Sequence, residues 1–245
     1  MAPERIVLSQ EKLATAVGDR WSEQELSEAA SLLARADGRF PAGVRTLPEE
    51  LIRAVQRERL LAAMIAGVTE TGYSALTVQD VLGRAGISRP TFYEQFDDKE
   101  DCFLAAFDAT VEQLRKRVDE AAAGGGDWQD RLRRAIAALL AFVAEDPPAA
   151  RTAIVEARAS SPAGLRRRDE VLDGFASRTD ALVREELAEP PSAIVAAGVV
   201  GGIESVLYAR LQKGELEDLD SLLPSLMYFA VLAYTGQDEA RKQLR

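Results

Sequence analysis

The chain has 245 residues, 47% of them hydrophobic and 29% charged, and a formal net charge of −10. That is enough chain for a substantial core and two modest domains, in a globular rather than disordered balance. It contains no histidine and a single cysteine, Cys102. These counts exclude an intrachain disulfide, zinc sites built from His and Cys, and catalysis by a histidine-based triad.

Residues 1–50 read as an N-terminal helical extension. Ser22-Glu23-Gln24-Glu25 predicts a capping box that opens a helix to about Ala36, stopped by Asp37-Gly38. Phe40-Pro41-Ala42-Gly43 and Leu47-Pro48 read as linker. From Pro48 the punctuation becomes regular. A helix is expected from about Glu49 to Thr71, with Leu60, Leu61, Met64, Ile65 and Val68 on one apolar stripe and Gly72 ending it. Thr77 caps a short helix with Asp80 in the reciprocal position; Val78, Val81, Leu82 and Ala85 form its buried side, and Gly86 stops it. Ser88 caps the next, with Pro90 in the first turn, where a missing N–H costs nothing. Asp97-Asp98 ends that helix and caps a long one through roughly Glu120.

After the small-residue stretch from Ala121 to Gly126, Asp127 opens a helix that Pro147-Pro148 ends. A shorter helix follows to about Ser160, and another runs from about Ala163 to Ala188. Ser192 is expected to cap an apolar helix to about Lys213, and the last long helix spans about Leu222 to Tyr234. The longest apolar run, Ala193 to Ile203, is roughly half of the ~20 residues a membrane helix needs, so it reads as a helix buried in protein. No basic start leads into a long apolar run, so no signal peptide is expected, and the location expected is cytoplasmic with no membrane partner. With neither a strand nor an internal repeat evident, the fold class is all-α.

The segment from Thr77 to Lys99 has the helix, turn, helix spacing of a helix-turn-helix. Gly86 permits the sharp turn. Ile87, Phe92 and Phe96 would pack the second helix against Val81 and Leu82, leaving Arg89, Thr91 and Gln95 on the outer side, as a major-groove reader requires. The acidic net charge argues against a nucleic-acid partner only on average, because a local face decides phosphate contact. Residues 51–101 hold six basic residues (53, 57, 59, 84, 89, 99) and eight acidic ones (58, 70, 80, 94, 97, 98, 100, 101), a net of −2. Few phosphate contacts and weak non-specific affinity are therefore expected.

The run from Val78 to Glu100, containing Ala85-Gly86-Ile87-Ser88-Arg89-Pro90-Thr91-Phe92-Tyr93 and Lys99, resembles the DNA-binding signature of the TetR (tetracycline-repressor-like) family. Gly72-Tyr73 and Cys102-Phe103-Leu104 match as well, and the resemblance covers about residues 52–107. It implies a homodimeric DNA-binding transcriptional regulator, a repressor released by a small molecule. It also implies roles for individual residues. Arg89, Pro90 and Thr91, opened by Ser88, would face base edges. Tyr93 and Lys99 would contact phosphate, and Gln95 a base or phosphate. Thr77 would set its hydroxyl and a helix N-terminus on a phosphate, and Arg53 and Arg57 would touch the backbone.

The organisation expected is an extension over 1–50, a helix-turn-helix domain over 51–107 and a ligand-binding and dimerisation domain over 108–245. The helices at 192–213 and 222–234 are apolar on two sides, which one domain core covers poorly. Pairing them with their symmetry mates in a four-helix bundle covers both, and a two-fold dimer in turn demands a palindromic operator. The simpler alternative is one thick monomeric core. Trp128, Phe142, Phe175 and Tyr208 are candidate linings for an effector of unknown identity. Glu156 and Glu204 interrupt apolar segments, and a buried carboxylate needs either a cationic ligand or an internal arginine such as Arg158 or Arg210. No cofactor, metal or catalytic residue is expected. Two competing readings are a regulator without an effector, controlled by protein contacts through residues 1–50, and a helical enzyme using Glu or Tyr chemistry, for which no paired motif is present.

Overall fold

The computed structural model describes residues 14, 21–35 and 47–244. The expected stop at Asp37-Gly38 and the linker at Phe40-Gly43 lie outside them. Every regular element described is helical: α1 Glu23–Arg35, α2 Glu49–Thr71, α3 Val78–Ala85, α4 Arg89–Tyr93, α5 Lys99–Ala122, α6 Trp128–Glu145, α7 Pro147–Arg151, α8 Ala157–Ser160, α9 Pro162–Arg184, α10 Ile194–Lys213, α11 Leu223–Thr235 and α12 Gln237–Arg241. The chain divides into two compact units, Met1–Ala106 and Phe107–Arg245.

In the first unit the helix ends are built by the expected side chains. Ser22 accepts from the Glu25 N–H at 3.3 Å while Glu25 accepts from the Ser22 N–H at 2.9 Å. Thr77 and Asp80 do the same for α3, and Ser88 accepts from the Thr91 N–H for α4. Each cap occupies N–H groups that a helix start leaves without partners. Leu26 and Ala29 of α1 pack with Leu47, Leu51 and Val55, so the N-terminal extension shares a core with α2. The apolar stripe of α2 is buried at Leu60, Leu61, Met64 and Val68, as are Val81, Leu82 and Ala85 of α3 and Phe92 and Phe96 beyond the turn. Val78 and Ile87 are half-buried. Gly86 sits at φ 63°, ψ 32°, a left-handed conformation that glycine adopts without a Cβ penalty.

The second unit is built on Leu132, Ile136, Leu140 and Val143 of α6, Val199, Ile203 and Leu207 of α10, and Leu226, Met227 and Ala230 of α11. Three details differ from the expected elements. The stretch between the prolines and Ser160 is not one α-helix, because Thr152–Glu156 forms a π-helical turn between α7 and α8. The helix expected to reach Ala188 ends at Arg184. Ser192 does not cap α10, whose boundary residue is Ala193 and which has no side-chain cap; the Ser192 carbonyl instead accepts from Val195. Gly202 of α10 lies against the Phe229 ring of α11, and a Cβ there would come within 2.8 Å of that ring. By length and composition α10 could cross a membrane, but the Ala196, Val199, Ile203, Leu207 and Leu211 side is buried in this unit's core.

Candidate nucleic-acid interface and ligand cavity

The outer side of the turn and of α4 presents what a groove reader needs. Ser88, Arg89, Pro90 and Tyr93 are exposed, and Thr91 and Gln95 half-buried. Tyr93 keeps 49% of its surface exposed, so it does not pack beneath α4. The Arg89 guanidinium stands 5.9 Å from the Tyr93 ring centroid, and it carries no ion pair among the described residues. The Ser88 and Thr91 hydroxyls lie 2.9 Å apart. Behind this surface Phe92 is fully buried, its ring 5.6 Å from Phe96. Arg57 caps the Phe96 ring from 4.6 Å, and Gln95 donates to the Arg53 carbonyl at 3.4 Å. Arg53 itself is paired with Glu49 at 2.5 Å on the exposed side of α2. Thr77 is exposed, with its hydroxyl held by the Asp80 carboxylate at 2.5 Å. Hydrogen bonds from the Thr77 hydroxyl and N–H hold the Asp80 carboxyl below its usual range.

Three of the six basic residues of this region are engaged internally. Arg84 is buried and grips Glu70 with both terminal nitrogens, at 2.8 and 2.7 Å. Arg59 is buried and donates to the Ala85 carbonyl at the end of α3. The Lys99 ammonium donates to the carbonyls of Tyr73 and Leu76, both at 2.9 Å, and lies 4.2 Å from the Tyr73 ring centroid. It therefore ties the start of α5 to the α2–α3 connection as well as standing near the candidate surface. A signal for this was present in the sequence: a cation in the first turn of a helix opposes the helix dipole and calls for compensating acceptors. Exposed positive charge is left at Arg53, Arg57 and Arg89.

In the second unit an apolar cavity of about 130 Å³ lies among α5, α6, the π-turn, α9 and α10. Leu114, Leu132, Ile136, Leu139, Leu172 and Ile203 are among its walls, and Arg168, Thr179 and Glu204 are the polar residues lining it. Thr179 donates its hydroxyl to the Phe175 carbonyl of its own helix at 3.0 Å. Glu204 is 8% exposed. Its carboxylate accepts from Arg168 at 2.8 and 3.2 Å and from the Nη2 and Nε of Arg158. Arg158 also stacks on Tyr208, 4.2 Å from the ring centroid. Of the six candidate ligand residues, Phe175 and Glu204 line the cavity. The other four lie outside its lining. Trp128 packs edge-on against Tyr234 at 5.5 Å. Phe142 is buried beneath Arg117, Tyr208 lies under Arg158, and Glu156 pairs with Arg151 at 3.3 Å. The branched aliphatics that form most of the wall escaped the sequence reading because a cavity-lining leucine and a core leucine have the same periodicity.

Residues 60–106 match the family model for bacterial regulatory proteins of the tetR family. Over those residues the chain is similar to that family. Over 121 residues, 49% of this chain and 55% of the relative, it is 31% identical to the HTH-type transcriptional activator FasR of Mycolicibacterium smegmatis. The chain thus spans about half the length of that relative. It is 24% identical over 127 residues, 52% of this chain and 66% of the relative, to the fatty acid metabolism regulator protein of Bacillus subtilis. Among solved structures, the transcriptional regulator FadR of Bacillus subtilis in complex with stearoyl-CoA superimposes with a TM-score of 0.64 at 22% identity, covering 72% of this chain and 97% of that one. The fatty acid degradation regulator FadR of Bacillus halodurans gives a TM-score of 0.66 at 20% identity, covering 72% and 94%. These neighbours share the fold, an N-terminal helix-turn-helix followed by a helical domain.

Proposed function

We propose that the protein is a homodimeric, sequence-specific DNA-binding transcriptional regulator that a small molecule with a long apolar chain releases from its operator. The observation that carries the DNA reading is the exposed outer side of α4, with Arg89, Thr91 and Tyr93 projected from a fully buried Phe92. Arg89 is the guanine reader, through its bidentate fork. Pro90, Gln95 and Ser88 complete the base-proximal surface, while Tyr93, Thr77, Arg53, Arg57 and the remaining N–H of Lys99 serve phosphates. Dimerisation is supported by apolar surface left over on α10 and α11. Ile194 is 75% exposed and Phe229 43%, with Val206 and Leu232 also open. A second copy of the same two helices covers such a patch symmetrically and yields a palindromic operator.

The effector reading is supported by the cavity's almost wholly apolar wall and by the stearoyl-CoA held by a structural neighbour. The names of the relatives carry both signs of regulation, an activator in FasR and a repressor in KstR of Mycolicibacterium smegmatis. The proposal is therefore the coupling itself, in which ligand binding weakens operator binding, with the operator's place relative to the promoter setting the sign. A mobility-shift titration on the DNA upstream of the chain's own gene tests both halves. Specific retardation that long-chain acyl compounds relieve is the expected result. Specific retardation that no such compound moves would favour regulation through the N-terminal extension, and absence of any sequence preference would end the DNA reading.

A further inference from the structure

The buried Phe92 fixes which residues of α4 face outward. An α-helix turns about 100° per residue, so the positions two before and two after Phe92 lie within about 20° of the point opposite it. Those positions are Pro90 and Glu94, and both are exposed. Glu94 closes α4 with helical angles, φ −73° and ψ −18°, and its N–H donates to the Pro90 carbonyl at 3.0 Å. Pro90 has no N–H and no polar side-chain atom. The Glu94 carboxylate therefore supplies the hydrogen-bonding chemistry at the crest of α4.

Among the described residues that carboxylate has no ion pair and no hydrogen bond. Its acidic neighbours differ. Glu70 holds Arg84, Asp80 completes the cap of α3, and Asp98 and Asp101 accept from N–H groups at the start of α5 at 2.9 and 3.1 Å. The exposed arginines are placed elsewhere: Arg53 pairs with Glu49, Arg57 lies over Phe96 and Arg89 stands beside Tyr93. A negative charge at the C-terminal end of a helix opposes the helix dipole, so Glu94 is locally unfavourable as well as unpaired. Local rules are broken in this way where a side chain serves a ligand.

A carboxylate can only accept hydrogen bonds. In the major groove the donors are the amino groups of cytosine and adenine, and adenine sets its amino group beside the N7 acceptor, which repels a negative charge. Guanine and thymine present acceptors, and a carboxylate held against them in a closed interface would be left unsatisfied. Resting on the DNA-binding reading, we propose that Glu94 is a specificity-determining residue that accepts from a cytosine amino group and rejects the other bases at that position. Each half-site then carries a cytosine set by Glu94 besides the guanine set by Arg89. The charge that weakens non-specific attraction to phosphate is the one that reads a base.

Selection from random duplexes by the full-length protein tests this, with Glu94→Gln, Glu94→Ala and Arg89→Ala run in parallel and affinities measured on the selected sequences. The unaltered protein should select one cytosine and one guanine in each half-site. Glu94→Gln should move the cytosine position to adenine, because an amide offers the donor and acceptor that match N7 and the amino group. Glu94→Ala should leave that position open, bind the selected operator about tenfold more weakly and bind random duplex more tightly. Both variants should keep the guanine and melt at or above the original temperature. Uniform tightening on all sequences with the cytosine preference unchanged would show that Glu94 only repels phosphate, and overturns the assignment. Preferences shifting at several positions together, or a clear drop in melting temperature, overturns it as well by showing that Glu94 holds α4 in place. A guanine that Arg89→Ala abolishes, with no cytosine answering to Glu94, sinks this assignment alone. No sequence preference in the unaltered protein sinks the DNA-binding reading and this assignment with it.

Discussion

In the Met1–Ala106 unit Arg89 stands exposed beside Tyr93 with no ion pair among the described residues, whereas in the Phe107–Arg245 unit Arg158 and Arg168 converge on the buried Glu204. The same side chain is left available in one place and neutralised in the other. The difference lies in burial. A solvated guanidinium needs no partner and keeps its fork for a ligand, while one facing an apolar cavity must be compensated. Charge counts along the sequence therefore overstate the positive surface of the first unit, where Arg59, Arg84 and Lys99 are also held inside.

Five substitutions sharpen or break this contrast. The largest effect is expected from Phe92→Ala, which removes a fully buried ring behind the exposed α4 surface and should cost about 3–5 kcal/mol of stability. Chemical denaturation measures it, and a cost below ~1 kcal/mol would mean α4 is not anchored there. Glu204→Ala should come next, at about 2–4 kcal/mol, because it removes the buried partner of two guanidinium groups, of which Arg158 is partly solvated and Arg168 keeps its pair with Asp169. If it proves neutral, the contrast between the two units fails.

Arg89→Ala should leave folding intact and weaken the best operator by about 1–3 kcal/mol, relaxing preference at one base step in a binding selection. Lys99→Ala makes the informative comparison. Its two carbonyl contacts predict a stability loss of about 1–2 kcal/mol together with a weaker affinity shared by all sequences. Equal, sequence-independent losses in both variants would show that Arg89 does not read a base.

The smallest effect is pH-dependent. Burial pushes the Glu58 carboxyl up to about 7 from a reference of 4.5, against a smaller opposing pull from Arg57. A folded value above the unfolded one means the native state keeps its proton longer. The contribution is intact below about pH 4.5 and is lost as the pH rises through 7. Glu58→Gln should accordingly stabilise the fold by about 1–2 kcal/mol at pH 8 and by almost nothing at pH 4. Thermal melts at the two values check the sign.

Most element boundaries in the first unit were legible because local chemistry sets them. Thr77 with Asp80, Ser88 with Pro90, and Gly86 each act within one turn of the chain. The second unit was less legible. The π-turn at Thr152–Glu156 has no local signature of its own, and α10 starts without the side-chain cap that Ser192 suggested. Among the aromatic candidates for the ligand site, Trp128, Phe142 and Tyr208 instead pack on Tyr234, Arg117 and Arg158.

By itself the sequence determined an all-helical chain, the helix-turn-helix between Thr77 and Lys99, and the outward residues of α4, because caps, turn glycines and apolar period act over short range. Tertiary structure alone decided which arginines remain available, where the cavity lies, and that Glu204 is gripped by arginines from two other helices. Those outcomes depend on side chains dozens of residues apart meeting in space, and no local period records such a meeting.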